Sequence, residues 1–403
     1  MFKITPLDNG LENVEGFFCG ATNVGMRTKP INPETGSADG DVSFIRSTTP
    51  CDIAAVFTSN TFQAAPIKHF KQYPKHFQTD FILINAKNAN AMTGEKGVED
   101  IKTIMTVLSN KLAVLNPVMS STGVIGYRLP VDKIVSAFDA LAFDTANSQQ
   151  TARAIMTTDA FKKEVAYKVE LDDGTSFSIA AICKGAGMIN PAMATMLCFI
   201  ITDAAVPKED MDTLLLDATE GSFNRISVDG DTSTNDTVML LANKQSGVYN
   251  KAAFGEVLNK LMFELAMLVL KDGEGANKLV AFEVKGALSQ GEAKKASMAL
   301  SNSLLVKTAL FGEDPNWGRI ASTIGASGIT CDDATLTIHY DDLLIYSNAF
   351  RELDKAREER AYVIMKQPSF KVTCDIGLGN ESYTSYGCDL SYEYVKINAE
   401  YRT

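Results

Sequence analysis

Strand-like and helix-like segments alternate through the first two thirds of the chain, and that alternation predicts an α/β protein. The last third carries "LVAFEVKG", "ATLTIHY", "SFKVTCDIG" and "CDLSYEYVKINAEY", all of strand composition, and so leans towards α+β. A length of 403 residues exceeds one typical compact core, so two domains, or one large domain with an appended lobe, are expected.

The elements follow in order. "DVSFIRS" (Asp41–Ser47), "AAVFTSN" (Ala54–Asn60) and "FILINA" (Phe81–Ala86) have strand composition with turn residues between them. Within Val98–Leu112, Ile101, Ile104, Met105 and Leu108 recur at helical spacing. A further strand falls near "PVMSSTGVIG" (Pro117–Gly126), and Asp132–Asp144 reads as an amphipathic helix. "SFSIAAICKGAG" is a strand that opens into a loop of small residues, and "TMLCFIITDA" is the strand leaving that loop. Helices are expected at Lys208–Glu220, Lys251–Lys271 and roughly Ala293–Phe311; Lys271 and the following Gly273 form a C-terminal stop for the second. No internal repeat or low-complexity linker interrupts the chain.

Composition narrows the function classes. Hydrophobic residues are 45% and charged residues 22%, as in a soluble globular protein, and the net charge is −11 without any basic run. Nucleic-acid binding needs clustered cations, so none is expected. The opening "MFKITPLDNGLENVEGFFCG" lacks the pattern of a signal peptide. The longest apolar run, Leu261–Leu270, contains Glu264 and is too short to cross a bilayer. Seven cysteines without a CxxC pair suit free thiols in a reducing compartment, and a cytoplasmic location is expected. The three histidines, His69, His76 and His339, lie at no metal-ligand spacing. Neither a metal site nor a histidine-based triad is expected, so any catalytic base must come from elsewhere.

Several stretches could carry chemistry. In "KGAGMINPAMATMLCFIITDA", Thr195 sits between the small-residue loop and the apolar strand. It reads either as a strand-forming threonine or as an activated hydroxyl. Without a histidine, activation is available if the bond between Ala194 and Thr195 is cut, because the freed α-amine, with a pKa near ~8, can then serve as base. The hydroxyl itself can attack the preceding carbonyl to give an ester that water hydrolyses. In "SSTGVIG", the Thr122 hydroxyl and the Gly123 N–H could together donate to an oxyanion, or the segment is an ordinary turn. "SVDGDTSTNDTVML" packs aspartates and hydroxyls together but runs into an apolar strand with no calcium-loop glutamate, and reads as a hydrogen-bonded turn. "KDGEGANK" lacks phosphate-loop spacing; Glu274 there reads as a solvated turn residue or a contact for a cationic group. "FGEDPNWGRIAS" reads as a packed, hydrogen-bonded corner around Trp317 and Arg319.

Taken together and in order, these stretches resemble the ornithine acetyltransferase family of arginine biosynthesis, also called glutamate N-acetyltransferase. The resemblance rests on "PCDIAAVFTSNTFQAAPI", "NANAMTGEKG", "SSTGVIG", "IMTTDA", the block around Ala194-Thr195, "GDTSTNDTV", "GEGANK", "KTALFGEDPNWGRIAS" and "INAEYRT", across nearly the whole chain. It implies a layered α/β/β/α sandwich of the autoprocessed N-terminal-nucleophile type with a second, smaller α/β lobe. It implies self-cleavage between Ala194 and Thr195 into an α chain (1–194) and a β chain (195–403), with structural lobes that need not coincide with the break. Thr195 would carry the acetyl group from N-acetylornithine to glutamate by a ping-pong route, with Thr122 and Gly123 as the oxyanion pair. The implied substrate contacts are Thr158, Lys184, Thr195, Glu274, Asn398 and Thr403. No cofactor is implied; some family members use acetyl-CoA as a further donor substrate, and the implied assembly is α2β2.

Lys87, Asn277 and Gly387-Cys388 depart from the family pattern at positions away from the nucleophile and oxyanion donors. Two other functions fit the residues: an autoprocessed aminopeptidase or amidohydrolase built on the same threonine, and an uncleaved small-molecule-binding protein.

Overall fold

In a computed structural model, residues 1–28, 38–190, 196–350 and 352–400 are described. In chain order the elements are β1 (Phe2–Pro6), β2 (Phe17–Thr22), β3 (Val42–Phe57), α1 (Ala65–Phe70), β4 (Gln78–Asn85), α2 (Gly94–Lys111), β5 (Val118–Ser121), α3 (Val131–Ala140) and α4 (Ser148–Ala154). There follow β6 (Lys163–Leu171), β7 (Ser176–Lys184), β8 (Leu197–Thr202), α5 (Lys208–Gly221), β9 (Ile226–Ser227), β10 (Thr237–Ala242) and α6 (Lys251–Lys271). The remainder is β11 (Leu279–Ala287), α7 (Gln290–Asn302), α8 (Leu304–Phe311), α9 (Trp317–Ala326), β12 (Thr337–Tyr340), β13 (Leu343–Tyr346), α10 (Lys355–Met365), β14 (Ser369–Asp375), β15 (Glu381–Cys388) and α11 (Tyr392–Ala399). Mixed sheets with helices make up both compact units, so the α/β class read from the sequence holds.

The larger unit comprises Met1–Gly185, Ala192–Asn224 and Thr232–Val269. Its sheet runs β1-β6-β7-β8-β10-β3-β4-β5, with β2 paired to β3 off that path. Side chains alternate across the pleat. Phe81 and Leu83 of β4 pack with Ile101, Ile104 and Leu108 of α2, whereas Ile82 and Ile84 join Ile182, Phe199 and Met239 in a separate cluster. The helical spacing in α2 is therefore the face that covers the sheet.

The sequence suggests two strands, Asp41–Ser47 and Ala54–Asn60, where the structure has one. The pairing of β3 with β4 shifts register between Arg46 and Cys51, so Pro50 falls in a bulge, where its missing N–H breaks no ladder.

The smaller unit comprises Ala186–Pro191, Arg225–Asp231 and Leu270–Thr403, with sheet order β13-β12-β14-β11-β15-β9. Val280, Phe282 and Val284 of β11 alternate into a core shared with Ile338, Val372, Leu300 and Ile320. The helix expected at Ala293–Phe311 is two, α7 and α8, because Ser303 turns extended (φ −69°, ψ 115°) and its hydroxyl accepts the Val306 N–H to start the second. The expected corner around Trp317 is the start of α9: Asn316 caps it, and Trp317 stacks on Tyr346 at 4.4 Å. The strand expected over Cys388–Tyr401 is replaced by helix α11, which buries no residue fully and so leaves no helical period to read. Its tyrosines, valine and isoleucine mimic strand composition.

Candidate active site

The expected oxyanion pair follows directly on β5, which runs parallel to β4. Thr122 N–H donates to the Asn85 carbonyl (3.0 Å), and Ser121 Oγ to Asn85 Oδ1 (2.6 Å). Gly123 has φ +131°, and a Cβ there would lie 2.2 Å from the Lys87 carbonyl carbon and 2.5 Å from Asn88 N. The two loops touch through backbone, so only glycine fits. Lys87, expected away from the oxyanion donors, instead has its backbone against Gly123, because the loops after β4 and β5 run side by side, and it adopts φ +72°. Burial, with Arg27 and Lys184 nearby, lowers its ammonium below the usual lysine range.

Thr158 is half-buried, on the loop between α4 and β6, beside a fully enclosed carboxylate. Asp159 accepts from Lys163 Nζ (2.8 Å), the Gly185 N–H (2.7 Å) and the Thr157 N–H (2.9 Å). Burial would raise its pKa, but the Lys184 and Lys163 charges, the Lys163 hydrogen bond and the Thr157 N–H more than offset that and hold it well below the usual carboxylate range. Lys184 closes β7 with 2% of its surface exposed, and its charge acts on both Asp159 and Asp236. A buried ammonium so placed suits a substrate carboxylate.

The segment "STND" between β9 and β10 is the hydrogen-bonded turn the sequence suggests, and it joins two distant places. Asn235 Nδ2 donates to the carbonyls of Ala89 (2.7 Å) and Ser121 (2.9 Å), which fixes the strand end that carries Thr122. The next residue, Asp236, accepts the Met196 N–H through Oδ1 at 2.9 Å. One dipeptide thus holds the loop of the expected oxyanion pair and the residue that follows position 195.

In the smaller unit, Glu274 is 8% exposed, and its N–H donates to the Ala186 carbonyl (2.9 Å). Asn398 Nδ2 donates to Glu274 Oε2 at 2.7 Å, which brings together two of the expected substrate contacts. Gly187 makes room for this carboxylate: a Cβ there would lie 2.5 Å from Glu274 Cδ. Asp229 accepts the N–H groups of Met188 (2.7 Å) and Ile189 (3.0 Å) and the Tyr394 hydroxyl (3.3 Å). Burial, with Asp231 and Glu274 close by, raises its carboxyl above the ordinary value.

The family model described as the ArgJ family matches residues 23–403. The chain belongs to the ArgJ family. Its relatives include the arginine biosynthesis bifunctional protein ArgJ of Wolinella succinogenes, 54% identical over all of both chains. The glutamate N-acetyltransferase of Methanopyrus kandleri is 38% identical over 90% of this chain and 95% of its own. A solved structure of the bifunctional ArgJ protein from Bacillus halodurans is 35% identical, with a TM-score of 0.47, over 50% of this chain and 97% of that one. Membership makes the chain an acyltransferase.

Of the site residues expected for this ArgJ chain, Ala194, Thr195 and Thr403 lie outside the described residues. Thr122, Gly123, Thr158 and Lys184 belong to the larger unit, and Glu274 and Asn398 to the smaller. Asn277, one of the departures, bonds Asp389 through both its backbone N–H (2.7 Å) and its side chain (3.0 Å). Gly387 and Cys388 are packed inside the smaller unit, where a Cβ on Gly387 would meet Phe282 at 3.1 Å. Sequence reasoning missed Asp159, Asp229, Asn235 and Asp236 as individuals. Three of these, Asp159, Asn235 and Asp236, lay in the quoted motifs "IMTTDA" and "GDTSTNDTV", and the run of aspartates beside apolar strands was the available signal. Among the described residues no cluster of histidine, cysteine or acidic side chains could hold a metal ion, and no helix is long and apolar enough to cross a membrane.

Proposed function

We propose that this chain transfers the acetyl group of N2-acetyl-L-ornithine to L-glutamate through an ester on Thr195, after cutting its own backbone between Ala194 and Thr195. The observation that carries this reading is the Asn235-Asp236 dipeptide, which ties the Thr122-Gly123 loop to the amide of Met196. In the first half-reaction the Thr195 α-amine accepts the Oγ proton as Oγ attacks the acetyl carbon. The Thr122 hydroxyl and Gly123 N–H take the oxyanion, the carbon–nitrogen bond breaks, and ornithine leaves with the proton. Glutamate's amine then attacks the ester, and Oγ regains a proton as N-acetylglutamate departs.

Lys184 pairs with the carboxylate common to both amino acids, and Glu274, held by Asn398, meets the ornithine ammonium. Thr158 and Thr403 complete the substrate contacts. In this proposal the two cut chains remain together as α2β2, the reaction is cytoplasmic and needs no cofactor, and an assay with acetyl-CoA and glutamate decides whether acetyl-CoA is a second donor.

The test has two readings. Intact mass of the purified protein gives chains 1–194 and 195–403, and Thr195→Ala gives one uncut chain. Ornithine release from N-acetylornithine requires glutamate; release without glutamate would make the enzyme a hydrolase and overturn the transferase reading.

A further inference from the structure

Lys87 is costly to the fold where it stands. Its backbone holds φ +72°, a conformation that residues with a Cβ rarely adopt, and its side chain is half-buried. Among the described residues its ammonium makes no hydrogen bond and no ion pair. Burial, and then the charges of Arg27 and Lys184, disfavour its protonated form. Both neighbours are cations, so the chain gathers like charges here and gives Lys87 no counter-charge. A strained, desolvated and unpaired cation is retained at a cost, and a bound anion would offset that cost.

Main-chain bonds in the larger unit bring the three cations together. The Ala86 N–H, next to Lys87, donates to the Asp41 carbonyl (2.9 Å), and the Asp41 carboxylate accepts the N–H groups of Val24 (2.8 Å), Met26 (2.7 Å) and Arg27 (2.8 Å). Arg27 is 3% exposed. Its guanidinium donates to the carbonyls of Met156, Arg153 (3.4 Å) and Ala154 (3.5 Å), while its Nε is buried without a partner. The same loop leads through Thr158 to Asp159, which takes the Gly185 N–H beside Lys184. The carboxylates here are engaged elsewhere: Asp41 with three amides, Asp159 with Lys163 and two amides, and Asp39 acting on Arg27. On its other side the Lys87 backbone lies against Gly123, so this positive cluster adjoins the loop of the expected oxyanion pair.

The anion's identity rests on the acetyl-transfer reading above. Donor and acceptor in that reading share an α-carboxylate, which Lys184 takes. They differ at the end of the side chain, where ornithine carries an ammonium and glutamate a second carboxylate. Glu274 answers the ammonium, and no residue has yet been given to the second carboxylate. We propose that Lys87 Nζ binds the side-chain carboxylate of the glutamate acceptor, while Arg27 fixes the loop behind it and adds positive charge. A charge-assisted bond at a half-buried site is stronger than one in open water, and a neutral amide in the carboxylate's place forfeits it. Lys87 therefore selects the acceptor: it favours glutamate over its isostere glutamine, and it makes no matching contact with the donor.

The experiment compares wild type with Lys87→Gln, Lys87→Gly and Lys87→Arg, each checked by thermal melting. Glycine suits φ +72°, so Lys87→Gly should melt at or above the wild-type temperature, and it decides if Lys87→Gln fails to fold. In both neutral variants KM for glutamate should rise roughly 10- to 100-fold, far more than KM for N-acetylornithine, and the preference for glutamate over glutamine should fall by a similar factor. Lys87→Arg should recover part of both. Calorimetric titration reads the subsite without any reaction: glutarate has two carboxylates and no amine, and wild type should bind it more tightly than butyrate. The neutral variants should lose that preference. An unchanged KM for glutamate in a folded neutral variant, equal rises in both KM values, or a glutarate preference that is missing in wild type or survives without the Lys87 charge overturns the inference. If ornithine release needs no glutamate, the transferase reading falls on its own, and the glutarate titration still decides whether Lys87 binds a second carboxylate.

Discussion

Gly123 shows how one residue's missing side chain can set how closely two loops approach. Its φ of +131° and the backbone of Lys87 and Asn88 leave no room for a methyl group. Gly123→Ala should cost roughly 1–3 kcal/mol in a thermal melt and, on the proposed mechanism, displace the oxyanion donors, lowering kcat more than it changes KM. Asp159 makes the opposite point, that one charge can hold two others. Its removal in Asp159→Asn leaves Lys163 and Lys184 buried without that counter-charge, an expected loss of about 3–5 kcal/mol by denaturant unfolding. The pH dependence has a definite sign. A carboxyl lowered by folding adds stability above the unfolded aspartate pKa of about 3.9, and that contribution drains away as pH falls below it. Acid unfolding followed by circular dichroism should therefore steepen below about pH 4 in wild type and less so in Asp159→Asn.

Elements are positioned here by single polar side chains at their ends. Asn235 fixes the end of β5 through Ser121, 114 residues away in sequence. Asn235→Ala removes both of its carbonyl contacts and should lower kcat for acetyl transfer by an order of magnitude or so while thermal stability drops by about 1–3 kcal/mol. Strand and helix types were largely legible: α6 spans Lys251–Lys271 as expected, and β4, β7, β8, β11 and β14 fall on their quoted stretches. The failures share a cause. The β3 bulge, the Ser303 break between α7 and α8, and α11, which buries no residue fully, each depend on pairing, capping or packing that hydrophobic period does not encode.

At the scale of the whole molecule, two sheets carry separate cores, and the unit boundaries, after Gly185 and again near Asn224 and Val269, follow neither a linker nor a composition shift. Compactness arises from contacts, and the chain enters the smaller unit three times. The seven cysteines offer a test of this packing. All are free, and six are buried while Cys331 is partly exposed. Burial pushes the Cys19 thiol up to about 11 and those of Cys51 and Cys374 up to about 12, further from the reactive thiolate. A thiol reagent at neutral pH should modify one cysteine in the native protein and all seven in denaturant. Fast labelling of several in the native state would contradict the burial.

By itself the sequence determined most element types and the scarcity of histidine that removes metal and triad chemistry from expectation, while the resemblance of its motifs to a family marked Thr122, Gly123, Lys184, Glu274 and the expected junction at Ala194-Thr195. Element type and residue scarcity are local properties, carried by period and composition; the marked residues rest on the resemblance. Only the tertiary structure decided that Asn398 meets Glu274 across 124 positions, that Asp159 is enclosed beside two lysines, and that buried Asp236 grips the Met196 amide. A side chain's partners and its desolvation are set by segments far along the chain, and both exist only once those segments have packed.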